Sequence, residues 1–230
     1  MKPHIIFLHG ALASGEQLKE LAELVSDGAI THVITFRGHG NAPLESGEFT
    51  VDTLVDDVVQ YMNTHAISSA GFFGYSMGGY VALSLAANHP ARVSGIVTLG
   101  TKLDWNQDTA AIEVARLNPV MMERKIPDFV NALDKVHTAV GWKKIVELTG
   151  LLMFRLGEKH LLDKDFSKIL IPVTLCVGET DKMVSIIETQ KVAGMLPNGN
   201  CVVLENTGHV FEVADRHLLA KKIRASFLNQ

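Results

Sequence analysis

The sequence predicts an α/β fold, a mostly parallel, doubly wound sheet with helices on both faces. Short apolar runs recur along the chain, segments of helical pattern lie between them, and the runs lack strict polar/apolar alternation. Strands buried on one face alternate, whereas strands covered by helices on both faces read as near-continuous apolar runs. Strand followed by helix, repeated, leads to a parallel sheet. With 230 residues, 47% of them hydrophobic, the chain can bury one sizeable core, and no Pro/Gly/Ser-rich linker or low-complexity tract divides it. A single domain over residues 1–230 is therefore expected.

In chain order the strand candidates are "HIIFLHG" from His4, "HVITF" from His32, "AGFFGY" from Ala70, "VSGIVTLG" from Val93, "IPVTLCVG" from Ile171 and "CVVLEN" from Cys201. Helices are predicted from Glu16 to Ser26, Val51 to His65, Met77 to Asn88, Ile186 to Leu196 and Val213 to Leu228. In the second of these, Val51, Leu54, Val55, Val58, Val59 and Met62 form one stripe at i, i+3, i+4 spacing, which marks the face that packs on the sheet.

The rhythm breaks once. Between Gly100 and Lys168 no strand-like run occurs, and the segment reads as several helices, a helical cap or lid insertion at about 101–168. Its many apolar side chains, Trp142, Leu148, Leu152 and Phe154 among them, exceed what a small independent bundle would bury, so some should face the rest of the protein. An ordinary packing layer and a lid over a site share this composition. In either case specificity is expected to reside here, with Trp142 and Phe154 as candidates for setting it.

Composition excludes several classes of function. The 21 Lys+Arg against 25 Asp+Glu give a net charge of −4, with no block of like charge able to track a phosphate backbone, so nucleic acid is not an expected partner. No apolar stretch approaches the roughly 20 residues that span a bilayer. Lys2, "IIFL" and Ala11 to Ala13 imitate a signal peptide, but His9 and Gly10 interrupt its apolar core, and a cytoplasmic location is expected. Cys176 and Cys201 each sit in a strand-like run and read as buried thiols, a bridge between neighbouring strands being the alternative.

Ligands of such sheets bind beyond the carboxyl ends of the strands, and the residues with chemistry follow the strands here. Ser76 lies in "GYSMG", after one strand and before a helix, the setting of a nucleophile elbow. Gly74 and Gly78 leave room for a tight turn, and Gly79 lets the helix begin close to the sheet. The bland reading is a serine that caps the helix. A serine hydroxyl is a poor nucleophile without a base to take its proton and a third group to orient that base. His209, in "ENTGHVFE", and Asp181, in "VGETDKMV", each follow a late strand; Glu179 and Asp104 are the competing carboxylates. His9 and His39, each beside a glycine, read as residues that hold loops in shape. No ligand spacing supports a metal site, and no cofactor is expected.

Together these four ordered segments resemble the α/β-hydrolase fold superfamily over essentially the whole chain. "FLHGALAS" is similar to the family's His-Gly oxyanion-loop segment and "FRGHGNAP" to its Arg-Gly-His-Gly turn, while Ser76, Asp181 and His209 stand in the family's chain order. The loop after Gly10 is not the glycine-rich run of many lipases, Asn41-Ala42-Pro43 replaces a serine often found after the turn, and Ala214 stands where an acidic residue is frequent. The resemblance implies that the backbone N–H groups of Ala11 and Met77 face the substrate's carbonyl oxygen, each donor contributing roughly 3 kcal/mol. It also implies a cofactor-free serine hydrolase of carboxylic esters or thioesters with a small-molecule acyl substrate. Carbon–carbon bond hydrolysis, cofactor-free peroxidation, or a slow-turnover ligand-binding protein of the same fold are the alternatives.

Overall fold

The computed structural model describes residues 2–44 and 48–228. Six strands, β1 (His4–Leu8), β2 (Ile30–Ile34), β3 (Ala70–Tyr75), β4 (Val93–Leu99), β5 (Val173–Gly178) and β6 (Gly199–Leu204), form one parallel sheet in the order β2-β1-β3-β4-β5-β6. Each of the six expected runs supplies one of these strands. The order reverses once: the chain moves outward from β1 to β2, then crosses back to lay β3 on the other side of β1. Loops that follow β1 and β3 therefore splay apart above the sheet, which opens a crevice at this point.

Side chains alternate across the sheet with the period of a strand. Ile5 and Phe7 of β1 join Phe73, Val97 and Cys176 on one face, packed against α1 (Lys19–Glu23) and α10 (Arg216–Phe227). Ile6 and Leu8 join Phe72, Ile96 and Leu175 on the other, under α2 (Val51–Thr64), α3 (Met77–Asn88) and α9 (Ile186–Met195). The two cysteines fall on opposite faces by the same rule: Leu175 pairs with Cys201 and Cys176 with Val202, so the cysteine side chains diverge and both thiols are free.

Helix α2 starts where Thr50 accepts a hydrogen bond from the N–H of Thr53 while the Thr53 hydroxyl accepts from the N–H of Thr50, a reciprocal cap. Its expected stripe is the buried one, with Leu54, Val55, Val58 and Met62 inside. The first predicted helix is shorter than expected, a 3-10 turn over Gly15–Leu18 leading into α1, and α10 begins at Arg216 after a separate turn at Phe211–Val213. Asp215 sets that start by accepting from the N–H of Leu218.

Between β4 and β5 lie α4 (Gln107–Arg116), α5 (Pro119–Lys125), α6 (Pro127–Val136), α7 (Trp142–Glu158) and the short α8 (Asp163–Phe166). Helix α7 faces the main core through Ile145, Leu148, Leu152 and Leu156, whereas Trp142 and Val146 build a satellite cluster with Met122, Val130 and Leu133. Not all of this segment's apolar residues are buried: Val120, Leu151 and Phe154 are exposed. Among the described residues no helix is long and apolar enough to cross a membrane.

The C-terminal helix docks through a slot in the sheet. Gly71 of β3 and Gly95 of β4 are register partners, and the Phe227 ring lies over both; a Cβ at either position would stand 3.0–3.1 Å from that ring. Gly71→Ala is accordingly expected to cost about 1–3 kcal/mol by overpacking. The cost should shrink in a Phe227→Ala background, read as a coupling energy from urea denaturation of the four proteins. Equal costs in both backgrounds would show that the ring does not impose the glycine.

Candidate active site

Ser76 joins β3 to α3 with φ 49° and ψ −114°, a conformation that costs a residue with a Cβ about 1–3 kcal/mol and is held only where its surroundings over-determine it. Those surroundings are mostly backbone. The Ser76 N–H donates to Leu99 O (2.8 Å), and Ser76 O accepts from the N–H of Gly79 (3.0 Å) and from the Thr101 hydroxyl (3.1 Å). The Ser76 side chain makes no capping bond to α3, which removes the bland reading of this serine. A Cβ at Gly78 would lie 2.1 Å from Leu8 O, one at Gly74 2.4 Å from the Gly79 backbone, and one at Gly79 2.0 Å from Thr101 Oγ1. The three glycines let α3 begin in contact with the ends of β1 and β4.

His209 and Asp181 meet across the loops after β6 and β5. His209 Nδ1–H donates to Asp181 Oδ2 at 2.8 Å, and Asp181 Oδ1 accepts from the N–H groups of Met183 (2.8 Å) and Val184 (2.9 Å). Burial pushes this carboxyl up, but the hydrogen bond and charge of His209 and the two amides outweigh it and hold the carboxyl below its ordinary range. Among the described residues neither competing acid bonds His209. Glu179 accepts from the N–H of Asn206, and Asp104 is exposed, its N–H directed at Glu188. Two contributors escaped sequence reasoning. Gly100, at φ 60°, lies flat against the pair, a Cβ there falling 3.2 Å from His209 Nδ1, and the Tyr75 hydroxyl donates to His209 O at 2.9 Å, which pins the histidine loop. Gly100 ends a predicted strand in "TLG", the one sequence hint that its backbone turns there.

Ser76, His209, Ala11 and Met77 line one cavity of about 40 Å³, whose remaining wall is largely apolar. Lys102 and Glu113 also reach it, Lys102 with a loose 3.8 Å contact to Glu188 and Glu113 paired to Arg116. Trp142 and Phe154, the residues expected to shape it, do not; helix α7 contributes Leu152, Met153 and Leu156 instead.

The loop that carries Ala11 is clamped by buried histidines. His9 Nδ1–H donates to Gly10 O (2.7 Å), and its Nε2 accepts from the N–H of Phe36 (3.1 Å). His137, just past α6, accepts from the N–H of Gly40 (3.0 Å) and donates through Nε2–H to Leu12 O (3.0 Å). Each ring thus serves one donor and one acceptor, which specifies the neutral form. His39 completes the cluster, 4.9 Å from the His9 ring and 5.7 Å from that of His137. The loop-holding reading of His9 agrees with these bonds, among the described residues His39 bonds only Arg37 O in its own turn at 3.2 Å, and His137 adds a tie from the helical segment that no spacing in the sequence reveals. Among the described residues no three His, Cys, Asp or Glu side chains gather where they could hold a metal.

A family model described as alpha/beta hydrolase fold matches residues 3–125. The chain belongs to the alpha/beta hydrolase fold family. In sequence it is 25% identical to a Bacillus subtilis protein named for 2-succinyl-6-hydroxy-2,4-cyclohexadiene-1-carboxylate synthase, over 94% of this chain and 87% of that one. It is 23% identical to a pimeloyl-[acyl-carrier protein] methyl ester esterase of Aliivibrio fischeri, over 98% and 93% respectively. Among solved structures NosK from Streptomyces actuosus superposes with a TM-score of 0.85 at 18% identity, covering 98% of this chain and 97% of that one. That likeness bears on the fold, which is the hydrolase sheet described above.

The buried histidines give the protein an acid limit. Burial, opposed by the bond to Gly10 and aided by the charge of His137, brings His9 down to about 4 from 6.5, and burial lowers His39 and His137 as well. Unfolding releases these rings to bind protons below about pH 6.5, a range that for His9 extends to about 4, so stability is full above pH 7 and falls as pH drops through that window. His9 alone accounts for on the order of 3 kcal/mol, which for a chain of this size is about 6–12 °C in Tm. Asp181, whose carboxyl is lowered from 3.8, acts only below the window. Calorimetry from pH 7.5 to 4.5 is expected to show this fall together with proton uptake on unfolding; a flat Tm would mean that the histidines are not held neutral.

Proposed function

We propose that the protein is a cofactor-free serine hydrolase of carboxylic esters or thioesters with small to medium acyl groups, acting through an acyl-enzyme. The observation that carries this reading is the His209–Asp181 hydrogen bond at 2.8 Å on the cavity where Ser76 stands on its strained turn. Ser76 attacks the carbonyl carbon while His209 takes the hydroxyl proton through Nε2, the nitrogen left free by the bond to Asp181. Asp181 keeps the imidazole proton on Nδ1 and stabilises the imidazolium that forms. Because two backbone amides already hold the second oxygen of Asp181, its carboxylate does not rotate away between turnovers.

The N–H groups of Ala11 and Met77 stabilise the oxyanion. Both belong to rigid backbone, one to the loop clamped by His9 and His137, the other to the first turn of α3, so little reorganisation accompanies charge development. His209 then gives its proton to the leaving alkoxide or thiolate, and water, activated by the same imidazole, releases the acid. The helices between β4 and β5 act as a cap that shapes the acyl side. The esterase relative supports an ester substrate in preference to an amide.

A fluorophosphonate probe should label Ser76 stoichiometrically, located by peptide mass spectrometry, and turnover of short p-nitrophenyl esters should vanish in Ser76→Ala. Asp181→Asn should lower kcat by about ten-thousandfold, the scale known for serine proteases, with the fold intact by circular dichroism. Folded protein that neither labels at Ser76 nor hydrolyses activated esters would refute the reading.

A further inference from the structure

The site cavity has a second space beside it. A groove of about 760 Å³ runs between α2, α3 and α7, and the two spaces share four lining residues: Val51, Tyr80, Leu152 and Leu156. These side chains are a partition. Tyr80 cannot swing aside easily, because its hydroxyl accepts from the N–H of Leu161 at 2.7 Å, and Leu152 and Leu156 are one helical turn apart on α7 and almost wholly buried. On the catalytic side the space open to the centres of water-sized groups is about 40 Å³, against about 760 Å³ in the groove. On the far side the groove is wide and mixed in character, with apolar residues such as Ala87 and Leu161 beside the Asp52–Lys159 pair.

We infer that this partition sets the acyl-chain limit and that the substrates carry acyl groups of about two to four carbons, an inference that rests on the ester-hydrolase reading. A longer chain would meet the Tyr80, Leu152 and Leu156 side chains end-on within a few atoms of the carbonyl. Removing a leucine side chain joins the cavity to the groove, which has ample length for eight or more carbons. Val51, at the first position of α2, closes the same wall from the side and is only half-buried. Its truncation disturbs the core least.

The test uses p-nitrophenyl esters from acetate to decanoate with the wild-type protein and with Leu152→Ala, Leu156→Ala and Val51→Ala. In the wild type kcat/KM should fall steeply beyond butanoate. In the leucine variants the octanoate-to-butanoate ratio of kcat/KM should rise at least tenfold, since each methylene newly taken out of water is worth about fourfold. Calorimetric binding of sodium octanoate and butanoate, in a Ser76→Ala background, should show the same change of preference. If the wild type hydrolyses no ester, the reaction reading fails and this binding comparison still decides the partition. Should both leucine variants misfold, the ratio in Val51→Ala decides, with a rise of about threefold or more expected. A wild type that takes octanoate as readily as butanoate, or ratios unchanged in every folded variant, would overturn the inference.

Discussion

A methyl group at position 78 would sit 2.1 Å from the carbonyl oxygen of Leu8, and the rest of the site depends on its not being there. The close approach it permits lets α3 start at the very end of β1. The chain must then leave β3 and enter the helix within one residue, which forces Ser76 to a positive φ and out of the sheet. The same approach brings Met77 alongside the loop that follows β1. Gly10 repeats the constraint from the other strand, a Cβ there lying 2.7 Å from the Tyr75 ring and 3.4 Å from Ser76 Cβ. Strain at Ser76 is thus a consequence of packing between main-chain segments, and side chains are free to be chosen for chemistry.

Around that rigid centre the polar groups are divided into two kinds. Asp181 is stabilised as an anion by N–H donors and the His209 ring, although burial opposes the charge. The buried histidines His9, His39 and His137 are held neutral, because burial outweighs the carbonyls that would favour a cation. A neutral imidazole accepts at one nitrogen and donates at the other, so it can bridge a backbone amide to a backbone carbonyl; a lysine or an aspartate cannot do both. His137 uses this property to link Gly40 to Leu12 and so connects the helical segment to the loop beside Ser76. The stability of that loop and its pH range are two readings of one hydrogen-bond pattern.

Much of this arrangement was legible in the sequence, for reasons that differ by residue. The strands show because both faces are covered and the runs are uniformly apolar, and their parallel order follows from the helices between them. Gly74, Gly78 and Gly79 around Ser76 announce a turn that only glycine permits, and His209 and Asp181 each follow a recognisable strand. What stayed hidden depends on contacts between distant segments. His137 acts on Leu12, 125 residues earlier, and nothing near it in the chain hints at a partner. Trp142 and Phe154 misled because α7 is apolar on more than one side: Trp142 faces the satellite cluster, Phe154 faces outward at 55% exposure, and spacing alone does not say which stripe looks at the site.

The same ambiguity of α7 explains how one helix can serve both the core and the site. Ile145, Leu148, Leu152 and Leu156 form a continuous stripe in the main core, and its last two members also line the cavity at Ser76 and the groove beside it. Ile145 and Leu148 serve the core alone, where a change of one methylene is felt as lost packing. Leu152 and Leu156 are equally buried but also border the candidate cavity and the groove, so a shorter side chain there enlarges the space and also costs packing, about 2–5 kcal/mol for leucine to alanine. On the proposed reading, chain-length preference varies at Leu152 and Leu156 while the register of α7, set two turns earlier, stays constant. The chemistry, built on backbone contacts between β1, β3 and α3, is insulated from that variation.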